Sequence, residues 1–178
     1  MSEIRVDSIT DEAGTGSPSL PNGLGVTGNI DVSGKLTNGG TAGIEIDNAG
    51  RIIQSNQPYF LAFGKPSGGG NSLVFGFDTV QYNNGNHYDN SSGKFTAPKS
   101  GVYFISATLC YDSGDGFMET RINGIDDLGA HAAEGNRLTT ATITYITELT
   151  QNDFIQVFTQ MNILSSTPRN HFSAYFLG

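Results

Sequence analysis

Apolar residues are distributed along the chain in two different ways, and the change comes near Pro58. Before it, isolated aliphatic residues sit among Gly, Asn, Ser, Thr and Asp, with no aromatics. After it come all 11 Phe and all 7 Tyr, gathered into short apolar runs. Aromatic side chains bury the most surface each, so this pattern places the packed core in residues 58–178. The runs Tyr59–Phe63, Ser72–Gln81, Val102–Tyr111, Phe117–Ile122, Thr139–Leu149, Phe154–Gln160 and Phe172–Leu177 read as strands. Turn-rich clusters such as Gly68-Gly69-Gly70-Asn71, Asn83-Asn84-Gly85-Asn86 and Ser113-Gly114-Asp115-Gly116 separate them. Short strands at close intervals with turn signals predict a sandwich or barrel. Asn123-Gly124 suits a type I′ hairpin, in which both central residues need positive φ.

In the last of these runs, Phe172, Ala174 and Phe176 share one face, while Ser173, Tyr175 and Leu177 share the other. Both faces are largely apolar. One can turn to the subunit's own core and the other to a neighbouring copy, although the same pattern also fits burial on both sides within one sandwich.

Residues 26–57 show a different regularity. Val26-Thr27-Gly28-Asn29-Ile30-Asp31 is followed by Val32-Ser33-Gly34-Lys35-Leu36-Thr37, two units of the form V-[ST]-G-x-[IL]-x. Regularly spaced apolar positions suit short strands, and so few apolar residues do not bury a face within one chain. The spacing predicts a shaft wound from three chains; the alternative is a flexible linker. Gly23-Leu24-Gly25-Val26-Thr27-Gly28 matches G-x-G-x-x-G, but the residues that follow read as strand-like and Gly-punctuated where a helix should open, so it does not read as a dinucleotide site.

Composition supports an all-β fold: Gly numbers 24, and helix-favouring runs of Ala, Leu, Glu and Lys are missing. The net charge of −8 is spread along the chain without a Lys/Arg cluster, which argues against nucleic acid as a partner. No run approaches the roughly 18 apolar residues of a membrane span. Met1–Asp7 has no apolar signal core, so synthesis in a reducing cytoplasm is expected. Cys110 is the single cysteine; between Leu109 and Tyr111 it reads as a buried, inert thiol.

Candidate chemistry is sparse. His87 belongs to the Asn86-His87-Tyr88-Asp89 run and reads as structural; His131 and His171 have no Cys or carboxylate neighbours at metal-ligand spacing, and no G-x-S-x-G elbow occurs, so no enzyme is expected. Asp112, Asp115, Asp126 and Asp127 are weak calcium candidates, since calcium takes six to eight oxygen ligands. Asp112–Gly116 lacks EF-hand spacing, and turns contain Asp for ordinary reasons. Asn90-Ser91-Ser92 is formally a glycosylation sequon.

The stretch Phe77–Ile105 is the most informative. Phe77, Asp78, Val80 and Asn83 form F-D-x-V-x-x-N; Asn86-His87-Tyr88-Asp89, Gly93-Lys94-Phe95, Pro98, Gly101 and Tyr103 follow without a gap. This closely resembles the signature of the C1q globular-head family. Asn123-Gly124, Leu149–Asp153 and the closing Phe172–Leu177 are similar to the family's N-G turn, L-x-x-G-D turn and last strand. Ile105 stands where the family has an aromatic, and Asn152 and Ala174 replace glycines. The resemblance implies a C1q/TNF-type jelly-roll head over residues 58–178, assembled as a homotrimer. Ser173, Tyr175 and Leu177 are then the trimer contacts.

Ser2–Gly14, leading into Pro21-Asn22-Gly23, resembles the opening of bacteriophage tail-fibre and related virion appendage proteins. It implies that residues 1–25 attach to a virion, with Ile4, Val6 and Ile9 as contacts to other virion proteins. The expectation is a non-enzymatic homotrimeric phage structural protein on the virion surface. It is a tail fibre whose head meets a host receptor or glycan, with a capsid decoration trimer or a soluble C1q/TNF-like ligand as alternatives.

Overall fold

A computed structural model describes residues 35–38, 41–46, 49, 51–54, 56–111, 116–132, 139–164 and 169–178. Among these residues regular structure is entirely β. Strands β1 (Lys35–Asn38), β2 (Thr41–Ile46) and β3 (Ile52–Ile53) form an antiparallel meander, with Leu36 opposite Ile44 and Ile46 opposite Ile52. These described strands of the 26–57 region pair within the chain. Among the described residues the meander bonds to no strand of the two larger sheets. Residues 26–34, which hold most of the two repeat units, lie outside the described residues.

The described residues of the head form twelve strands: β4 (Tyr59–Phe63), β5 (Ser67–Gly68), β6 (Ser72–Phe75), β7 (Thr79–Asn84), β8 (Tyr88–Asp89), β9 (Lys94–Thr96), β10 (Gly101–Tyr111), β11 (Gly116–Ile122), β12 (Ile125–Ala132), β13 (Thr139–Leu149), β14 (Phe154–Thr159) and β15 (His171–Phe176). One sheet runs β13-β10-β15-β4-β7. The other runs β12-β11-β14-β6-β5, with β9 also on β14 and β8 on β9. All pairs are antiparallel, and the two sheets face each other as a sandwich.

Alternation along each strand explains the core. On β10, Tyr103, Ile105, Ala107, Leu109 and Tyr111 point inward and are buried; β15 supplies Phe172, Ala174 and Phe176, and β4 supplies Phe60 and Ala62. Phe60 stacks on Tyr88 at 4.2 Å between ring centroids and meets Phe95 and Phe172 at 5.1 and 4.9 Å. Each such ring contributes about 2–3 kcal/mol of burial, so the aromatic cluster that joins the sheets dominates the head's stability.

Two local differences from the sequence reading have physical causes. Ser72–Gln81 is not one strand: β6 and β7 lie in different sheets, and the chain crosses between them at Gly76, whose φ of 63° favours glycine. Strand β12 was not anticipated, because Asp126-Asp127 and Gly129 interrupt the apolar alternation. Its pairing with β11 supplies what its side chains do not. Asn123 and Gly124 have φ of 54° and 80°, as the hairpin required.

Candidate functional site

The signature residues turn out to be architectural. The Asn83 carboxamide accepts from Tyr88 N–H at 3.0 Å and donates to Tyr88 C=O at 2.8 Å, imitating a strand partner. Asn90 does the same for Phe77, with both bonds at 2.9 Å. Asp89 accepts from Ser92 Oγ and from the Ser91 N–H and hydroxyl, which holds its carboxyl below the usual aspartate range. Tyr103 donates to Lys99 C=O at 2.7 Å. His87 is half-buried against the turn and belongs to this scaffold.

The outer face of the five-stranded sheet is of another kind. Register rows set Ile146, Phe104, Tyr175, Tyr59 and Asn84 side by side, then Thr144, Ser106, Ser173, Leu61 and Tyr82, then Thr142, Thr108, His171, Phe63 and Thr79. Val102 and Leu177 extend the apolar end. Ile146 is 61% exposed, Leu177 49%, Tyr82 48% and Tyr175 45%. Towards the other end the face turns to hydroxyls, with Ser106 to Thr144 at 3.1 Å and Thr108 to Thr142 at 3.0 Å. Apart from His171, Glu148 is the one acidic or basic side chain among the outward residues of these strands. The opposite sheet carries Lys94, Glu119, Arg121 and Asp126.

Ser173, Tyr175 and Leu177 lie on this open face, while Phe172, Ala174 and Phe176 fill the core. The sequence reading missed their companions Phe104, Ile146, Tyr59, Leu61 and Tyr82. Period-two alternation in Val102–Tyr111 and Thr139–Leu149 marks Phe104 and Ile146 as outward, but which strands lie beside β15 is not written in any one segment.

Of the four candidate calcium ligands, Asp126 and Asp127 lie within the described residues. Asp112 and Asp115 lie outside the described residues. Gly116, which follows Asp115, pairs with Ala132, whereas Asp126 pairs with Arg121 at the far end of the β11–β12 hairpin. Five residues of strand separate those ends, roughly 15–20 Å. Asp126 is held by Arg121 Nε at 3.0 Å, and the same guanidinium binds Glu119 at 2.6 Å and rests on the Phe158 ring. Asp127 accepts from Tyr145 OH at 2.5 Å; burial first, and that bond second, raise the Tyr145 phenol. Among the described residues no group of three or more His, Cys, Asp or Glu side chains is placed to hold a metal ion. The attachment candidates Ile4, Val6 and Ile9 lie outside the described residues. Cys110 is buried. No described helix is long and apolar enough to cross a membrane.

Comparison with known proteins agrees with this geometry. A stretch of 84 residues, 46% of the chain, is 34% identical to a heavy metal-binding protein, HIP, of the mussel Mytilus edulis, and spans 39% of that protein's length. Murine APRIL superposes with a TM-score of 0.55 at 10% identity, covering 68% of this chain and 99% of its own. The globular domain of zebrafish complement 1qA protein superposes with a TM-score of 0.51 at 12% identity, covering 66% of this chain and 93% of its own. Both likenesses show the fold, a C1q/TNF-like jelly roll. The family described as the C1q domain matches residues 61–177, from β4 to the residue after β15. Domains of this type are generally non-enzymatic ligand-binding modules that commonly form trimers. With about two thirds of its length matched and both sheets in place, the chain belongs to the C1q domain family.

Proposed function

We propose that the chain is a non-enzymatic binding head that assembles as a homotrimer through the outer face of the five-stranded sheet. One observation carries this reading. A chain of net charge −8 keeps that face nearly free of charge and lines it with tyrosines and aliphatics. Depletion of charge with enrichment in Tyr is the compositional mark of an interface core. Three copies of one head also turn weak contacts into strong ones through effective concentration, which suits capture of a receptor or glycan. Sedimentation velocity of the full chain at micromolar concentration tests it: the mass of three copies is expected, and that of one overturns it.

Two settings fit this head. The polar motif of residues 2–14 favours a virion appendage held by residues 1–25, either tail fibre or capsid decoration. The likeness to complement and APRIL heads favours a soluble ligand equally well. Fractionation decides: chain bound to purified particles supports the first, and chain confined to particle-free supernatant supports the second.

A further inference from the structure

We propose that assembly through the five-stranded face is proton-sensitive, with His171 as the sensor. The inference rests on the trimer reading above. His171 opens β15, the central strand of that sheet, and its side chain stands on the outer face among groups that carry no charge. From β10 it meets Ser106, whose Oγ lies 3.4 Å from Nε2, and Thr108, its register partner. From β4 it meets Phe63, and Ser173 and Leu61 form the next row. Beyond these, β13 presents Thr142 and Thr144, and β7 presents Thr79 and Tyr82. None of the residues in the His171 row carries a carboxylate; Asp78, which accepts from Lys65 N–H, lies past Thr79 at the end of β7, two strands away, and Glu148 is at the other end of β13. Arg169, two residues before His171 in the chain, is exposed. Burial already lowers the affinity of the ring for a proton within one subunit.

Covering the face with a second copy removes the remaining water from the imidazole and offers no counter-charge. The neutral ring accepts this burial, and the cation resists it. The sign follows by linkage. The free subunit binds protons more readily than the assembled one, so the trimer is favoured above the ordinary histidine range and weakened as pH falls through it. Each unit by which assembly lowers the His171 pKa weakens association about tenfold per protomer, roughly a thousandfold for three. The overall charge of the chain predicts the reverse, since acid reduces the repulsion between subunits of net charge −8. The direction of the effect is therefore diagnostic.

The test compares the full chain with His171→Gln, which keeps hydrogen bonding and cannot ionise, by sedimentation velocity at pH 7.5 and 5.0. Weaker association of the unmodified chain at pH 5.0, absent in the variant, is the expected result. The same pH response in both proteins overturns the inference. Monomers of the unmodified chain at pH 7.5 overturn the trimer reading itself, a separate failure. Should the variant not fold, the His171 ring resonance of the unmodified chain serves: a titration midpoint that falls as concentration drives assembly is expected, and a midpoint independent of concentration sinks the proposal.

Discussion

Tyr175 stacks on Tyr59 across the junction of β15 and β4, with ring centroids 6.0 Å apart and planes 27° from parallel. Tyr59 in turn meets Tyr82 edge-on at 6.0 Å, so three phenols from three adjacent strands make one platform on the open face. Tyr175 is 45% exposed and is not among the buried core residues.

Tyr175→Lys is therefore expected to leave the subunit folded, within about 1 kcal/mol of the unmodified head, while placing three ammonium groups in the trimer interface. Truncating or charging a central interface residue costs about 2 kcal/mol or more, so trimer association falls at least thirtyfold. Urea denaturation and sedimentation equilibrium read the two effects separately. A trimer of undiminished strength would move the interface elsewhere.

Asn170 is the polar knot at the other end of the sandwich. It is fully buried, accepts from Cys110 N–H at 2.7 Å and donates to Gly64 C=O and Leu164 C=O at 3.2 and 3.1 Å. Asn170→Ala leaves these backbone groups without that partner and costs about 3 kcal/mol or more. A lowered urea midpoint at unchanged slope checks it.

Gly93 and Gly124 both have positive φ, 69° and 80°, but only one is enclosed. A Cβ at Gly93 would lie 2.2 Å from the Val74 carbonyl oxygen, whereas nothing lies within 4 Å of one at Gly124. Gly124→Ala is expected to cost only the backbone term, roughly 1–2 kcal/mol, and Gly93→Ala about 3–5 kcal/mol, because overpacking adds to it. Thermal melts of the two variants should rank them in that order.

Glu119 and Asp126 differ in the same way. The Asp126 side chain is 69% exposed and that of Glu119 is 9% exposed, although both bind the same guanidinium. Asp126→Asn should cost less than about 1 kcal/mol, as exposed pairs do. Arg121→Ala strands the Glu119 carboxylate and should cost about 3 kcal/mol, much of it recovered by the double variant with Glu119→Gln.

Asp153 gives a pH signature. The Asn123 side chain, at 2.7 Å, and then the Thr150 N–H hold its carboxyl below the usual aspartate range. A depressed folded-state pKa contributes stability that is present at neutral pH and lost as pH falls from the aspartate range through the lowered value. Melting temperature followed from pH 6 to 2.5 should therefore fall less steeply in Asn123→Ala than in the unmodified chain; equal slopes would show the contact to be idle.

Much of the head was legible in the sequence because its information is local. The span of β13 follows from its apolar run, β4 and the hairpin at Asn123-Gly124 likewise, and the Asn83 and Asn90 positions were identified by resemblance. Asn152, which stands where the family has glycine, has φ of 74°, a conformation asparagine tolerates better than most residues, so that turn survives the replacement. Less legible were β12 and the break at Gly76. In the first, long-range backbone pairing outweighs a poor strand sequence; in the second, one apolar run serves two sheets.

By itself the chain determined an all-β head after Pro58, the alternation that sends Phe172, Ala174 and Phe176 one way and Ser173, Tyr175 and Leu177 the other, and the family to which it belongs. These follow from side-chain period and local turn chemistry, which one strand carries alone. Only the tertiary structure decided that Tyr59, Phe104, Ile146 and Tyr82 join Tyr175 on one nearly uncharged face. It also placed His171 there among hydroxyls, and Asp126 at the opposite end of its hairpin from Gly116. The reason is that neighbours across a sheet are set by strand order and register, and the partners of a central strand come from segments as distant in sequence as β4 and β10.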